Sequence, residues 1–225
     1  PTLSFEFLSK LKTFNSLLQN RNCTPRQREV RATSKQEDLM MEATGSTNKP
    51  MHIIERGTEG ASLRSMEGGL VGTVVGHYSA SQTVFSSDGR LLACILQSVV
   101  EIYDTSKYSL LRSIPVPGTV AVHFSGAASY LVVCQKANFS GAKDGKNLSV
   151  WELSTGVMVF SCFQRTFNKN DWPTLQFSSD ETVACRVVSN EVHFFCPSDL
   201  NPKLKRLRIS DVFSVKLSPG KQSKL

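Results

Sequence analysis

Short apolar segments alternate with polar turns along most of the chain, and this pattern predicts β-strands. Residues 171–195 show it well. Leu175–Phe177 ends in a polar turn, a β-branched apolar run covers 182–188, and a further strand over 192–195 follows a second turn. A meander of this size cannot bury both of its faces alone. We therefore expect further copies of it to pack against.

The turn after the first strand of this meander recurs along the sequence. It reads Phe-Ser-Ser-Asp from Phe85, Phe-Ser-Gly-Ala from Phe124, Phe-Ser-Ser-Asp from Phe177 and Leu-Ser-Pro-Gly from Leu217, with spacings of 39, 53 and 40 residues. A β-rich run and then a strand with an aromatic residue follow each of the first three turns. A period near 40 with four short strands per unit is typical of a β-propeller blade. The longer spacing contains a polar insert, residues 135–146, in place of a tight hairpin turn.

The sequence therefore predicts an all-β protein with a partial WD40-like β-propeller of about four four-stranded antiparallel blades. We place the propeller over residues 51–225, with blades at about 52–82, 83–118, 120–167 and 173–212 and the start of a fifth at 213–225. The outer strands are expected at 110–114, 157–160 and 204–209, whereas the glycine-punctuated stretch 55–69 predicts a loop.

Large apolar residues at equivalent positions are expected to pack between the blades. They are Phe85, Phe124, Phe177 and Leu217 at the ends of the inner strands, and Tyr103 and Trp151 in the third strands. The third strand of the fourth unit is expected at 191–194, with an aromatic residue near its end. Asp104 and Glu152 follow Tyr103 and Trp151, where a carboxylate can cap backbone N–H groups.

Residues 1–50 differ from the rest of the chain. Apolar residues recur at helical spacing over 2–20, and 22–48 is polar and mixed in charge. We expect an N-terminal extension that is largely disordered or forms a short helix.

The composition of the chain limits the classes of function that it can have. The formal net charge of +7 is spread along the chain, which permits a polyanionic partner such as RNA without requiring one. The six cysteines form no metal-binding spacing, so we expect reduced thiols packed as small apolar groups. Zincin, serine-hydrolase and nucleotide-binding motifs are absent from the sequence. We therefore expect no catalytic residues, metal or cofactor, and no membrane association.

One charged stretch is a candidate site for contact with RNA or the ribosome. Its cations are Lys203, Lys205, Arg206 and Arg208. They could supply salt-dependent contacts to phosphates. The alternative interpretation is an outer blade strand with its cations in water. Because no aromatic residue interrupts the stretch, it does not favour stacking on single-stranded bases.

Several segments together resemble the amino-terminal propeller of the eukaryotic translation initiation factor 2A family. They include Asp171-Trp-Pro, Leu175-Gln-Phe, Ala184-Cys-Arg, Asn190-Glu-Val-His-Phe and Lys205-Arg-Leu-Arg-Ile. Upstream, Leu91-Leu-Ala-Cys, Val100-Glu-Ile-Tyr-Asp and Asn147-Leu-Ser-Val-Trp agree in the same order. The resemblance covers roughly residues 53–220, and the propeller of that family is larger.

The resemblance implies a cytoplasmic, non-enzymatic translation initiation factor. It implies a propeller platform that binds the small ribosomal subunit, mRNA and initiator Met-tRNA, together with other initiation factors. The alternative is a WD-repeat scaffold for protein–protein contacts without RNA, such as the propeller of a multisubunit initiation factor. A secreted, glycosylated β-protein is a third hypothesis, and it would need sugars at Asn138 or Asn147.

Overall fold

Fifteen β-strands form four antiparallel sheets in the part of the chain that the computed structural model describes, residues 51–67, 70–137 and 145–218. The first sheet has three strands, β1 (Met51–Gly57), β2 (Gly60–Glu67) and β3 (Leu70–Tyr78). The other three sheets have four strands each. They are β4 (Gln82–Phe85), β5 (Leu91–Ile95), β6 (Val100–Asp104) and β7 (Ser109–Ile114); β8 (Thr119–Phe124), β9 (Tyr130–Gln135), β10 (Leu148–Glu152) and β11 (Val157–Cys162); β12 (Leu175–Phe177), β13 (Ala184–Val188), β14 (Glu191–Cys196) and β15 (Asp199–Arg208).

Each sheet is a meander, because strands adjacent in sequence are also hydrogen-bonded neighbours. The four sheets are referred to below as blades 1 to 4. This arrangement confirms the predicted all-β, partial-propeller fold. The predicted outer strands correspond to β7, β11 and β15.

Apolar clusters join each blade to the next. Leu63 of blade 1 packs with Leu92 and Cys94 of blade 2. The second cluster joins blades 2 and 3, and the third joins blades 3 and 4. The predicted inner-strand aromatic residues divide among them: Phe85 packs on the first, Phe124 lies in the second, and Phe177 packs on the third. Their placement between blades is confirmed.

The third strand of each four-stranded blade also contributes an aromatic ring to these clusters, but in blade 4 the ring lies one residue beyond the predicted segment. Tyr103 pairs with Leu92 and Trp151 with Leu131, whereas it is Phe195 that pairs with Ala184. Leu92, Leu131 and Ala184 each lie seven residues after the inner-strand phenylalanine of their blade. Phe195 therefore occupies the aromatic position, one residue beyond the segment 191–194. It lies 18 residues after Phe177, as Tyr103 does after Phe85, so blade 4 keeps the spacing of blade 2. Phe194 and Phe195 are adjacent in sequence, and their pairing with β13 decides which of them takes this position.

The described part of the predicted loop, residues 55–67, is mostly strand, because 55–57 lie in β1 and 60–67 form β2. The two strands pair through Gly57 and Gly60, with a two-residue turn between them. Gly60 has a φ of +120°, a conformation that side chains disfavour. Ala61, Leu63 and Ser65 are buried on alternate positions of β2. Polar residues between them hide this strand pattern in the sequence.

Buried cysteines lie at the positions expected for small apolar groups. Cys94, Cys134 and Cys185 are fully buried, and all three are free thiols. Burial raises the pKa of the Cys134 thiol to about 11 and that of Cys94 and Cys185 to about 12. These thiols are therefore protonated at neutral pH, and thiolate chemistry is suppressed.

In blades 2 and 4, the turn between the first two strands contains an aspartate. The two aspartates accept equivalent hydrogen bonds. The hydroxyl of Ser86 donates to Asp88 at 2.7 Å, and the hydroxyl of Ser178 donates to Asp180 at 2.7 Å. Each aspartate also accepts a backbone N–H two residues later, from Arg90 at 3.1 Å and from Thr182 at 3.2 Å. Burial alone would raise the pKa of both carboxyls, but the hydrogen bonds outweigh it and the pKa of each is lowered.

Blade 3 has Ala127 at this position, and blade 4 supplies the missing carboxylate. Glu181 accepts hydrogen bonds from the backbone N–H groups of Ala127, at 2.8 Å, and Ser129, at 3.3 Å. Ser129 is the equivalent of Arg90 and Thr182, so the same backbone donor is satisfied in all three turns. Gly126 allows the two turns to approach, because a Cβ atom there would lie 3.0 Å from backbone atoms of Ser179.

Glu181→Ala is expected to lower the free energy of unfolding by about 0.5–1.5 kcal/mol, because it removes two backbone–carboxylate hydrogen bonds at a partly solvated site. Urea unfolding would measure the change. Glu59→Ala is a matched control on the exposed β1–β2 turn and should change stability by less than about 0.5 kcal/mol. Equal effects of the two substitutions would contradict the cross-blade role of Glu181.

Three of the predicted features lie wholly or partly outside the described residues. These are the N-terminal extension at 1–50, part of the blade-3 insert and, in the predicted start of a fifth blade, residues 219–225. At the base of the insert, Asn147 is buried, donating to Gln135 O and Gln164 O and accepting from Gln164 N. A sugar at Asn147 would require this side chain to leave its pocket, which argues against glycosylation there.

Candidate nucleic-acid interface

The predicted cationic stretch lies in β15, the outer strand of blade 4. Both interpretations of the stretch, an RNA contact and a solvated outer strand, are compatible with this position. Arg206 pairs with His193 of β14, and Arg208 pairs with Glu191. Residues two apart on a strand share a face, so the two arginines lie side by side. Both guanidinium side chains are exposed, Arg206 by 53% and Arg208 by 89%.

The other two predicted cations do not join this pair. Lys205 is half-buried and pairs with Phe194, at a position that alternates with those of the two arginines. Lys203 lies in β15 opposite Phe195, and its side chain lies outside the described residues. The structure therefore brings together Arg206 and Arg208, which we call the arginine pair.

A carboxylate that the sequence did not point to lies between the members of the arginine pair. Glu191 accepts from Arg208 Nε at 3.0 Å and lies 3.9 Å from a terminal nitrogen of Arg206. Its other neighbour is His193, whose Nε2 lies 2.9 Å from the carboxylate. The hydrogen bonds from His193 and Arg208 lower the pKa of Glu191 below its ordinary value. His193 is buried and bonded, as expected of a structural histidine.

Glu191→Gln is expected to reduce the loss of stability that the protein shows as the pH falls. A carboxyl with a lowered folded-state pKa contributes stability above its unfolded pKa, and loses it as the pH falls through the folded value. The wild-type protein should therefore lose stability below about pH 4.5, Glu191 contributing to that loss. Urea midpoints of both proteins between neutral and acidic pH would measure the difference. Asp88 and Asp180 titrate in both proteins, so parallel curves would contradict a role for Glu191.

The arginine pair has N–H donors that Glu191 does not use and that an anionic ligand could bind. Each guanidinium carries five N–H donors in a fixed fork, whereas one carboxylate offers two oxygens. Glu191 thus orients the pair without being able to satisfy all of its donors. A phosphate, which binds guanidinium groups in a bidentate manner, could accept from the outward-facing nitrogens.

A third arginine of blade 4 is buried against blade 3. Arg186 is 8% exposed, and its guanidinium contacts the Cys162 thiol, Phe163 O at 3.5 Å and Gln164 Oε1 at 3.1 Å. Its Nε has no hydrogen-bond partner among the described residues. Burial raises the pKa of the Cys162 thiol, although Arg186 opposes this shift, so the thiol stays protonated at neutral pH. None of these partners carries a compensating charge.

Cavities of the described residues show no catalytic or metal-binding arrangement. One of about 270 Å³ lies at the end of blade 4 where β13 turns into β14, lined by residues such as Gln164, Gln176 and Ser189. Groups of histidine, cysteine, aspartate or glutamate suited to a metal ion are absent within the described ranges. No helix within the same ranges has the length and apolar character needed to cross a membrane.

Comparison with known proteins identifies the relatives of this fold. Eukaryotic translation initiation factor 2A of Schizosaccharomyces pombe is 33% identical over 143 residues, which cover 63% of this chain and 24% of the relative. The chain is similar in sequence to eukaryotic translation initiation factor 2A. It thus spans about a quarter of the length of this relative, and no family model matches it.

More distant relatives of the chain include a component of another initiation factor. A polypeptide of eukaryotic translation initiation factor 3 from Aspergillus clavatus is 23% identical over 136 residues, 51% of this chain and 18% of the relative. A solved structure described as the crystal structure of the eukaryotic initiation factor matches with a TM-score of 0.66 and 27% identity. It covers 77% of this chain and 44% of the solved one. The similarity to translation initiation factors therefore holds in both sequence and fold, and these relatives indicate no catalytic activity.

Proposed function

We propose that this chain acts as part of a cytoplasmic translation initiation factor of the 2A type. Its propeller, residues 51–225, is a non-enzymatic platform for the small ribosomal subunit, mRNA and initiator Met-tRNA, and residues 1–50 are an extension to it. Other initiation factors are expected neighbours on this platform. No step of the proposed function requires a cofactor.

The observation that carries the proposal is the similarity across the blades, to initiation factor 2A in sequence and to an initiation factor in three-dimensional fold. The arginine pair supports contact with RNA, because its guanidinium groups project from the outer strand of blade 4. Cations of this kind contact phosphates without reading the base sequence. Binding through them should weaken as salt concentration rises, since bound counterions are released on association.

Co-sedimentation with purified small ribosomal subunits tests this proposal. The wild-type chain should bind at about 50 mM salt and lose most binding by about 200 mM. Replacing both arginines, Arg206→Gln with Arg208→Gln, should weaken binding about tenfold and reduce the salt slope by roughly two.

Arg90→Gln is the matched control for the arginine pair. Arg90 is also exposed and paired with a carboxylate, Asp88, but it lies on the β4–β5 turn of blade 2. Its replacement should leave binding to the ribosomal subunits within about twofold of the wild-type value. Binding that is insensitive both to salt and to the double substitution would overturn the proposal.

A protein scaffold without RNA contact is the second candidate. It is supported by apolar side chains exposed on the outer strands β7 and β11, namely Leu110, Leu111, Val157 and Met158. Exposed apolar patches often mark protein–protein contacts. Co-purification of initiation factors that survives nuclease treatment and is lost on Leu111→Asp would favour this function.

A further inference from the structure

Blade 1 has three strands among the described residues, and the strand that it lacks is the inner one. In blades 2 and 3, the pairing of the third strand with the fourth shifts by one residue directly after Ile102 and Val150. In blade 1 a shift of the same kind follows Leu63 of β2. All three residues are buried in the cluster shared with the next blade. β2 is therefore the third strand of blade 1, and β1 is the second.

The edge of β1 that an inner strand would occupy pairs with no strand in the described part of the chain. Met51 at the start of β1 is 65% exposed, and residues 55–57 at its end are exposed as well. Gly57 leaves open space there, because a Cβ atom on it would meet no other atom within 4 Å. Such an edge presents backbone N–H and C=O groups with which a further strand can pair.

The other end of the propeller has a segment of the type that blade 1 lacks. Leu217 follows Phe177 by 40 residues, at the position where an inner strand ends. Residues 214–218 alternate between exposed and half-buried side chains, with Val215 and Leu217 half-buried. This alternation is that of a β-strand. The segment nevertheless belongs to none of the four sheets.

The segment already lies where the next inner strand of a propeller belongs. Gln176 of β12 donates to Val215 O at 2.6 Å. Leu217 lines a cavity together with Phe177 of β12 and His123 of β8. β8 and β12 are the inner strands of blades 3 and 4, so the segment continues their order beside blade 4.

We propose that residues 213–217 of one copy of this chain supply the inner strand of blade 1 in a second copy. We call these residues the closing strand. Three complete blades from each copy and two shared blades then form a ring of eight, within the range of four to eight that is typical of propellers. Head-to-tail contacts between identical chains form a ring when the rotation closes. The inference concerns self-association and does not depend on the RNA contact proposed above.

The repeat fixes the register of the shared blade. In blade 2, the inner-strand residue Phe85 pairs with the residue of β5 that also pairs with Tyr103. Arg64 directly follows the shift in β2, as Tyr103 does in β6, and Arg64 pairs with Ile53 of β1. Leu217 is the equivalent of Phe85. It should therefore lie opposite Ile53 in the second copy.

This register places Phe213 opposite Gly57, and the two residues fit each other. Phe213 is 87% exposed, the highest value among the large apolar side chains of the described residues. An aromatic ring can cover the backbone that a glycine on an edge strand leaves open. The pairing would thus bury the side chain that a single copy exposes most.

Disulfide cross-linking between two variants of the full chain tests the proposal. Ile53→Cys and Leu217→Cys are mixed and oxidised. Opposite residues of an antiparallel pair have Cα atoms roughly 4.5–5.5 Å apart, which suits a disulfide. We expect a cross-linked species of twice the chain mass of 24.8 kDa in the mixture. Each variant alone should give no more of it than the wild type, which controls for the six native cysteines.

Ile54→Cys is the matched control for the register. Ile54 is the next residue of β1 and packs towards blade 2, on the opposite face from Ile53. Its mixture with Leu217→Cys should cross-link no more than the wild type. Equal yields from the two mixtures would overturn the shared blade. A cross-link within single chains of the double variant, Ile53→Cys with Leu217→Cys, would assign the closing strand to its own chain and overturn the second copy.

Sedimentation equilibrium measures the association without added cysteines. The wild-type chain should dimerise at micromolar concentration. Phe213→Ser should weaken the dimer about tenfold, because it removes a cross-strand aromatic contact from both shared blades. Phe163→Ser removes another exposed ring, 55% exposed in the segment between blades 3 and 4, and should stay within about twofold of the wild type.

Thermal unfolding of dilute protein checks that Phe213→Ser leaves the single copy intact, and the curve should not change because the side chain is so exposed. A wild-type chain that remains monomeric up to about 100 µM would reject self-association through the closing strand. A dimer whose affinity is the same in the wild type and in Phe213→Ser would reject it as well.

Discussion

Leu148→Ala is expected to lower the free energy of unfolding by about 2–5 kcal/mol. Leu148 is the first residue of β10, is fully buried, and belongs to the cluster that joins blades 3 and 4. Truncation to alanine removes apolar contacts from both blades and leaves a cavity at their interface. Because the neighbouring Val132 and Leu175 sit in regular strands, we expect little collapse around the gap.

Urea unfolding followed by tryptophan fluorescence would measure this loss, since Trp151 and Trp172 pack against clusters on either side of blade 3. Leu110→Ala is the matched control, because Leu110 lies on β7 and is 51% exposed. It should change stability by no more than about 0.5 kcal/mol. A similar loss for both leucines would show that the apolar clusters between blades do not hold the fold together.

Arg186→Met is expected to raise the free energy of unfolding by about 1–4 kcal/mol. Arg186 is buried at the interface of blades 3 and 4 beside a neutral thiol, a carbonyl and an amide, and its Nε is without a partner among the described residues. Burying a charge without a compensating charge is costly. The equivalent residues of blades 2 and 3, Cys94 and Val133, are apolar and fully buried. The repeat itself therefore accommodates an apolar side chain at this position.

Arg186→Lys provides the comparison that isolates the charge. It keeps a buried cation but loses the fork of donors that reaches Phe163 O and Gln164 Oε1. We expect it to be less stable than the wild type, and Arg186→Met to be more stable. A loss of stability in the methionine variant would show that the three polar contacts of Arg186 outweigh its desolvation. A gain would indicate that the arginine is kept for a reason other than stability.

Most of the fold was predictable because the sequence repeats. A single strand or turn pattern is weak evidence, but the same patterns recur at equivalent positions in successive units. The inner-strand phenylalanines Phe85, Phe124 and Phe177 fixed the blade period, and each lies at a separate interface between blades. Where the repeat is imperfect, the prediction was wrong. Blade 1 has no such phenylalanine, so β2 was taken for a loop. In blade 4 two adjacent phenylalanines, Phe194 and Phe195, follow one another, and the pairing of β14 with β13 assigns the aromatic position to Phe195.

The candidate sites were less predictable, because they depend on neighbours across strands. The sequence predicted that Arg206 and Arg208 form an outer strand, but their proximity to Glu191 follows from a register that spans 17 residues.

Because Glu181 belongs to blade 4, the turn of blade 3 can be completed only after part of blade 4 has been synthesised. The turn of blade 3 requires an acceptor that emerges from the ribosome 54 residues after Ala127. A nascent chain that ends between residues 162 and 180 has therefore translated every strand of blade 3 while the turn of that blade still lacks this acceptor. The repeats are consequently not interchangeable modules. Exchanging blade 4 for a copy of blade 2, which has Gly89 in place of Glu181, would leave the preceding turn without its partner.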